Sequence, residues 1–308
     1  MTAKSRRTRK PVWKRVVLGI FVFLFSFSVL SMAASAVIFQ VMFDRQPPPD
    51  LSRSMTYADP ALDAYPRTTL TFPSGEQALT GFWFEAPEAW GVVLIAHGLG
   101  ASAERHAAET AYFLDQGLSV FAYDATGMGS SEGDSIVGLA QSKLDVISAV
   151  TCLRQLEADL PLFLYGHSMG GYGVLAALEE IEAQAVVCLN GYRSPIRLMH
   201  SGAKAYVGLL ADIQYPFLCL QNWFTFGADG NTDALSAASA AGIPVLILNA
   251  SEDEVIPPAA ALMPTEEMGD NICFRTVTGH HSGMWLSDAK TVNEDLLTEI
   301  VQFYRSAA

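Results

Sequence analysis

Cysteine and charge are both scarce in this chain. Four cysteines in 308 residues are too few for the disulfide framework of a small secreted domain. Charged residues make up 17% of the chain, below the share of about 25% that is usual for soluble domains. Hydrophobic residues make up 50%, which excludes a mainly disordered chain. Low charge together with high hydrophobicity indicates a membrane segment attached to a folded domain.

Basic residues are rare outside the N-terminus. Residues 1–43 carry seven Lys and Arg and no Asp or Glu. The remaining residues carry 12 basic against 32 acidic side chains, a net charge of −20. Phosphate backbones are bound by basic surfaces, so this acidic body argues against nucleic acid as a partner.

The N-terminal region has the pattern of a membrane anchor. No charged residue occurs from Val16 to Phe43, and the 24 residues Val16–Phe39 would extend about 36 Å as a helix. That length crosses a hydrocarbon core of ~30 Å. We therefore predict a basic cytoplasmic tail over residues 1–15 and a transmembrane anchor over residues 16–43. The excess of basic residues before the span places the N-terminus in the cytoplasm and the body outside the cell membrane.

A cleaved signal peptide is the alternative interpretation of the same region. The tripeptide Ala34-Ser35-Ala36 fits a small-residue cleavage site, and cleavage would release the body as a secreted protein. The apolar run continues past this site to Phe43, which favours the anchor. Residues 44–66 are predicted to be a linker and an irregular lead-in to the folded domain.

Residues 67–308 alternate short apolar runs with segments of helix length. Continuous apolar runs are typical of strands buried on both faces, and their alternation with helices predicts a mostly parallel sheet with helices on both sides. The first two runs are separated by turn residues and predict an antiparallel hairpin. The predicted strands are Thr68–Phe72, Leu79–Phe84, Gly91–His97, Leu118–Tyr123, Pro161–Tyr165, Ala185–Leu189, Pro244–Leu248 and Ile272–Val277. The predicted helices are Ala101–Gln116, Val137–Glu157 and one that contains Leu296–Tyr304.

Residues 192–242 interrupt this alternation. The segment has no clear strand–helix pattern and is rich in aromatic residues, including Tyr206, Trp223 and Phe224. We interpret the segment as a helical lid over a substrate pocket. Extra helices packed on the domain would give the same pattern.

The strongest chemical motif is Gly166-His167-Ser168-Met169-Gly170, which lies between an apolar strand and a helical pattern. Such a motif at a strand-to-helix turn is typical of a nucleophile elbow, with Ser168 as the nucleophile. Gly166 and Gly170 are expected because the turn is tight and a side chain at either position would collide with backbone. Because a pentapeptide of this kind also occurs by chance, the prediction of an elbow depends on the strand before it and the helix after it.

A serine hydroxyl needs a base and an orienting acid to act as a nucleophile. Gly279–Gly283 follows the last predicted strand and contains adjacent histidines, of which we select His281, with His280 as the alternative. Three carboxylates follow the Pro244–Leu248 strand, and we select Asp253 over Glu252 and Glu254 as the acid. The resulting chain order of serine, aspartate and histidine is the one found in α/β-hydrolases.

A fourth element would stabilise the oxyanion that forms during acyl transfer. The segment His97-Gly98-Leu99-Gly100 ends a predicted central strand. The backbone N–H groups of Leu99 and Met169 could converge on the developing negative charge as an oxyanion hole. We expect His97 to hold this loop in shape through a backbone hydrogen bond.

These motifs together resemble the α/β-hydrolase superfamily, in particular its lysophospholipase/monoacylglycerol lipase-like and serine-aminopeptidase-like group. The similarity covers residues ~68–305 in the right order and adds the Tyr123–Gly133 loop to the motifs already described. It implies an α/β-hydrolase fold with Ser168 as nucleophile, His281 as base and Asp253 as orienting acid. Asn249-Ala250 departs from the His-Gly that many relatives carry there.

The expected function is a membrane-anchored serine hydrolase that cleaves carboxylic esters through an acyl-enzyme. The aromatic-rich segment and the anchor suggest an apolar acyl group, as in a lysophospholipid or a monoacylglycerol. A serine aminopeptidase or amidase is the alternative, although His97–Gly100 differs from the Gly-Gly-Pro-Gly of proline-specific aminopeptidases. A non-catalytic scaffold on the same fold is a third possibility.

No cofactor or metal ion is predicted. His280 and His281 are adjacent and cannot easily chelate one ion together. Cys188 and Cys273 fall in strands expected to flank the Pro244–Leu248 strand, which separates them too far for a disulfide. Buried free thiols are therefore expected.

Overall fold

The computed structural model describes residues 12–156, 159–266 and 268–308. Residues 1–11 of the predicted tail over residues 1–15 lie outside the described residues. Glu157, at the end of a predicted helix, lies outside them too. Among the described residues, eight strands form one sheet. They are β1 Arg67–Ser74, β2 Gln77–Phe84, β3 Gly91–Ala96, β4 Leu118–Tyr123, β5 Leu162–His167, β6 Ala185–Leu189, β7 Val245–Glu252 and β8 Ile272–His280.

The sheet is mixed at one edge and parallel elsewhere. Its strand order is β1-β2-β4-β3-β5-β6-β7-β8. The hairpin of β1 and β2 is antiparallel, and β2 pairs antiparallel with β4. All remaining pairs, from β4 through β8, are parallel. The predicted antiparallel hairpin and mostly parallel sheet are therefore confirmed.

Helices cover both faces of the sheet. Alternate residues of β3 point to opposite faces, with Val92 and Leu94 in one core cluster and Val93 and Ile95 in the other. The helices are α1 Val12–Met42, α2 Ala107–Asp115, α3 Gln141–Leu156, α4 Met169–Ala176, α5 Pro195–Val207, α6 Leu209–Phe226, α7 Ala234–Ala241 and α8 Glu294–Ala307. The first cluster includes apolar residues of α3 and α4, and the second includes residues of α2 and α8.

The segment interpreted as a lid contains three helices. The helices α5 and α6 are joined at Gly208, whose positive φ of 56° suits glycine, and they pack against each other as a helical hairpin. The third helix, α7, packs on α4 and belongs to the helical layer of the sheet. We refer to Pro195–Phe226 as the α5–α6 hairpin.

The N-terminal helix α1 is the one helix in the described residues that is long and apolar enough to span a membrane, judged by length and composition. It begins at Val12 and includes Lys14 and Arg15, so it starts before the uncharged run. Its C-terminal half packs against α6, where Phe27 contacts Phe217 edge to face.

Three of the four cysteines depart from the expectation of buried thiols. All four lie in the described part of the chain as free thiols. Cys188 is buried in β6, Cys152 and Cys219 are only partly buried, and Cys273 is exposed, so the prediction of buried thiols holds for Cys188 and is most clearly wrong for Cys273. The reason is that β8 is an edge strand with one face largely open to solvent.

Candidate active site

Ser168 lies at the tight turn between β5 and α4. Its backbone has φ 54° and ψ −114°, a strained conformation for a residue with a side chain. A Cβ atom on Gly166 would lie 2.5 Å from the carbonyl oxygen of Gly170. A Cβ atom on Gly170 would lie 2.1 Å from the carbonyl oxygen of Ala96. Both glycines are therefore required by close backbone approach, as expected for an elbow.

Replacing Gly170 with alanine is expected to lower the free energy of unfolding by at least about 2 kcal/mol. The new methyl group would overlap the backbone at the end of β3, which cannot move without disturbing the sheet. Gly202→Ala is the matched control, because Gly202 is also helical and a Cβ atom added there would meet no other atom within 4 Å. That control should be neutral or slightly stabilising, since alanine favours helix. Thermal unfolding of both variants measures the difference, and equal melting temperatures would contradict the steric argument.

Three predicted residues meet at the carboxyl end of the sheet. The Ser168 Oγ lies 2.9 Å from the His281 Nε2, and the His281 Nδ1 lies 2.8 Å from the Asp253 Oδ2. An ionised carboxylate only accepts hydrogen bonds, so Nδ1–H donates to Asp253 and Nε2 is left to accept from the serine hydroxyl. Ser168 and His281 are both buried. This arrangement has the contacts needed to take a proton from Ser168.

Asp253 is held in its ionised form by several hydrogen bonds. Its Oδ1 accepts from the backbone N–H groups of Val255 and Ile256 at 2.8 and 2.9 Å. Partial burial on its own would raise the pKa of Asp253, but the bonds from His281 and from these two backbone groups outweigh it. The pKa of Asp253 therefore lies below its ordinary value, and the carboxylate stays charged opposite the imidazole.

The other candidates for base and acid lie apart from Ser168. The His280 side chain is 68% exposed, and its ring nitrogens lie 3.7 Å from Glu252 and 3.6 Å from Glu254. The Glu254 carboxylate accepts a long hydrogen bond, 3.3 Å, from the backbone N–H of His281. The side chains of His280, Glu252 and Glu254 thus form an exposed cluster. Of the candidates for base and acid, His281 and Asp253 are the ones that form the hydrogen-bonded chain with Ser168.

The predicted oxyanion-hole residues border the same cavity as Ser168. This cavity has a volume of about 480 Å³ and is lined by Leu99, Met169 and His281 among others. A Cβ atom on Gly98 would lie 3.0 Å from His167 and 3.1 Å from the Ser168 Cβ. The absence of a side chain on Gly98 thus lets the backbone before Leu99 pass directly beside Ser168.

His97 stabilises this backbone segment. The backbone N–H of Ala125 donates to His97 Nε2 at 3.0 Å, which leaves Nδ1–H to donate to the Gly98 carbonyl at 2.8 Å. Burial lowers the pKa of His97, in agreement with a neutral ring that has this tautomer. The predicted structural role of His97 is confirmed.

Two further residues position His281, and sequence reasoning did not select them. The His281 carbonyl accepts hydrogen bonds from His167 Nε2 at 2.9 Å and from Asn190 Nδ2 at 2.7 Å. Asn190 also accepts from the backbone N–H of Ala250 at 2.6 Å, so it ties together the ends of β6 and β7 and the loop that carries His281. Burial and the nearby His281 and His106 rings keep the pKa of His167 well below its ordinary value. A polar residue directly after the buried strand β6 was the available signal for Asn190.

In the described ranges, no group of three or more His, Cys, Asp or Glu side chains is placed to hold a metal ion.

Comparison with known proteins agrees with the fold. The model of the serine aminopeptidase S33 family of hydrolases matches residues 87–218. That range contains Ser168, Leu99 and Met169, whereas Asp253 and His281 lie beyond it. The monoglyceride lipase of Mus musculus is 34% identical over 111 residues, which cover 34% of this chain and 36% of the lipase. The monoglyceride lipase of Homo sapiens is 31% identical over 109 residues, with the same coverage.

Solved structures extend the similarity over most of the domain. An esterase of Pyrococcus furiosus superposes with a TM-score of 0.63 and 18% identity, covering 85% of this chain and 99% of the esterase. The match to the lipases spans little more than a third of their length, so their sequence similarity concerns the core around the elbow. The superposition agrees with the overall fold described above. The chain is thus similar to α/β-hydrolases, in its fold and in the segment around the elbow, and in particular to the monoglyceride lipases and the serine aminopeptidase family.

Proposed function

We propose that this hydrolase is a membrane-anchored serine esterase that cleaves carboxylic esters through a covalent acyl-enzyme. The observation that carries this proposal is the unbroken hydrogen-bond chain from Ser168 through His281 to Asp253. The similarity of the chain to monoglyceride lipases around the elbow supports an ester as the substrate.

The reaction proceeds in two halves. The Ser168 Oγ attacks the ester carbonyl carbon while His281 Nε2 takes the hydroxyl proton. The tetrahedral intermediate collapses when His281 returns this proton to the leaving alcohol, which departs and leaves the acyl group on Ser168. Water then attacks the acyl carbonyl and gives its proton to His281. The second collapse returns the proton to Ser168 and releases the carboxylic acid.

Charge is stabilised at two places during each half. The N–H groups of Leu99 and Met169 are the proposed donors to the oxyanion, and such donors contribute about 3–4 kcal/mol each to transition-state stability. Asp253 stabilises the imidazolium that forms when His281 holds the proton. The low pKa of Asp253 supports this role, since a protonated carboxyl could not provide it.

The N-terminal helix and the α5–α6 hairpin complete the proposed architecture. We assign α1 as a single-pass anchor in the cell membrane, with the N-terminus in the cytoplasm and the catalytic domain outside. Seven basic residues before the apolar run support this orientation. We assign the α5–α6 hairpin as the lid. Its residue Leu198 lines the cavity of Ser168, which supports a position over the substrate.

Amide hydrolysis is the second candidate, and the match to a serine aminopeptidase family favours it. A free peptide amine needs a carboxylate in the pocket. Among the described residues, Asp50 is the carboxylate that lines the cavity of Ser168, and Arg105 lines it too. This balance of charge favours an uncharged ester over an ammonium group.

The full chain in detergent micelles tests the proposal with two reagents. A fluorophosphonate probe should label Ser168, and p-nitrophenyl esters from acetate to palmitate should be hydrolysed. Labelling together with hydrolysis of aminoacyl p-nitroanilides and of no ester would assign the amide reaction. A folded protein that the probe does not label would assign the fold to a non-catalytic scaffold.

Replacing Asp253 with asparagine is expected to lower kcat roughly 10⁴-fold. The amide would keep the shape of the side chain but would favour the wrong tautomer of His281 and would carry no charge opposite the imidazolium. Glu252→Gln is the matched control because it removes the same kind of charge one residue away, and Glu252 contacts only exposed His280 among the ion pairs described. The control should stay within about twofold of the parent. Equal losses in both variants would show that Asp253 acts only through net charge.

A further inference from the structure

A second cavity lies beside the site, and its lining is strongly apolar. It has a volume of about 700 Å³, which falls in the range of roughly 300–1,000 Å³ that ligand pockets occupy. No charged residue is found among the described residues that line it. It adjoins the cavity of Ser168, because four residues line both. These are Leu99, Leu139, Leu198 and Val255.

One wall of this cavity is supplied by α1. The five residues of α1 that line the cavity recur at helical spacing and form one stripe of the helix. They are Phe27, Ser31, Ala34, Ile38 and Met42. The opposite wall comes mainly from the α5–α6 hairpin, including Ala203 and Leu210. The cavity therefore exists only where the N-terminal helix meets this hairpin.

The contact between α1 and α6 is held by polar as well as apolar groups. Gln214 of α6 donates from Nε2 to the Ser31 carbonyl at 2.7 Å and to the Ser35 Oγ at 2.6 Å. Hydrogen bonds of this kind between apolar helices specify their pairing. Phe27 and Phe217 add an edge-to-face contact with ring centroids 5.9 Å apart.

The chain that follows α1 is fixed to the catalytic domain. The Arg45 guanidinium donates to the carbonyls of Gly129, Ser131 and Gly133 at 2.7–2.9 Å. The backbone N–H of Ile136 donates to the Phe43 carbonyl at 2.8 Å. Because the end of α1 is tied to the loop after β4, the helix has a defined position on the domain.

We propose that α1 is both an anchor and a wall of the substrate cavity, and that the acyl chain of a membrane lipid ester reaches Ser168 along it from the bilayer. This inference rests on the proposed esterase function. The stripe from Phe27 to Met42 lies within the uncharged run, so a spanning α1 holds it in or next to the hydrocarbon layer. The exposed apolar side chains of the α5–α6 hairpin that do not line the cavity, such as Leu209 and Phe224, suit the same layer.

The proposal also requires that α1 stay attached. Cleavage at Ala34-Ser35-Ala36 would remove Phe27 and Ser31 from the wall and open the cavity on one side. The mature protein should therefore retain α1, which its intact mass would reveal.

Filling the cavity from α1 tests the proposal. Ala34→Trp places a large ring in the stripe, whereas Ala36→Trp places the same ring on a residue of α1 that does not line the cavity. Both changes also remove the small-residue cleavage site, so they are matched in that respect. In proteoliposomes, Ala34→Trp should lower the ratio of kcat/KM for p-nitrophenyl palmitate over butyrate at least tenfold. Ala36→Trp should leave the ratio within twofold.

An unchanged ratio in Ala34→Trp, with butyrate still hydrolysed, would overturn the inference and leave the esterase assignment intact. Loss of all ester hydrolysis in the unaltered chain would instead overturn the proposed function. A second measurement avoids dependence on the folding of variants. A phosphonate with a long alkyl chain and a terminal diazirine is first attached to Ser168 of the unaltered chain. Illumination should then crosslink it to a peptide of residues 27–42, and crosslinks confined to other peptides would contradict the proposal.

Discussion

Ester hydrolysis is expected to fall roughly 10⁶-fold when Ser168 is replaced by alanine. The change removes the atom that carries the acyl group in the proposed mechanism, and it leaves His281 with no hydroxyl to deprotonate. The residual rate would come from binding and from the oxyanion donors acting on water. Rates with p-nitrophenyl butyrate and labelling by a fluorophosphonate should disappear together, because both reactions need the same oxygen.

A matched serine separates this effect from general damage. Ser148 lies in α3, is half-buried and lines no cavity that Ser168 lines, so Ser148→Ala should keep the parent rate. Alanine is also the better helix former at that position. A Ser168→Ala protein that retained more than about 1% of the parent rate would assign the nucleophile to another residue.

The parts of the fold that sequence reasoning predicted correctly are those determined by local pattern. The run Leu118–Tyr123 and the run Ala185–Leu189 match β4 and β6 residue for residue, because strands buried on both faces need continuous apolar side chains. The elbow was also predictable from the sequence, because its tight turn requires glycine. A Cβ atom at Gly170 would lie 2.1 Å from the backbone of Ala96, so a larger residue there would cause strain. Such local requirements restrict which residue types can occur at a position, so the sequence alone reveals them.

Strand ends were less predictable because ladder hydrogen bonds do not require apolar side chains. The strand β7 continues past its apolar run to Glu252, and β8 continues to His280. The start of α3 was also misplaced by four residues. Val137 has a positive φ of 62° and Gly138 is also in a non-helical conformation, so the helix begins only at Gln141.

The sequence has no pattern from which the long-range contacts between α1 and α6 could be predicted. A helix that is apolar on most sides can face lipid, protein or a cavity, and its sequence does not distinguish among these surroundings. The pairing depends on single polar groups, such as Gln214 with Ser35, that become informative only once the two helices are seen together. For Asn190 the sequence offered only its position after β6, because its side-chain partners come from separate parts of the chain.

The two adjacent histidines offer the sharpest test of the assignment of the base. His281→Ala is expected to lower kcat for ester hydrolysis by about 10⁴- to 10⁶-fold, because no other described imidazole lies within hydrogen-bond distance of the Ser168 Oγ. The change should also abolish the rapid reaction of Ser168 with a fluorophosphonate. Added imidazole should restore part of the rate if it occupies the space that the side chain leaves.

His280→Ala is the natural control, since it removes the same group one residue earlier. The His280 side chain is exposed and interacts only weakly with Glu252 and Glu254, at 3.6 Å or more. Its loss should therefore change kcat by less than about twofold, in keeping with the small energies of exposed ion pairs. A larger loss in His280→Ala than in His281→Ala would reverse the assignment, and it would require the loop after β8 to move on substrate binding. The difference in kcat between these two variants thus decides whether His281, which is hydrogen-bonded to Ser168, is the base in ester hydrolysis.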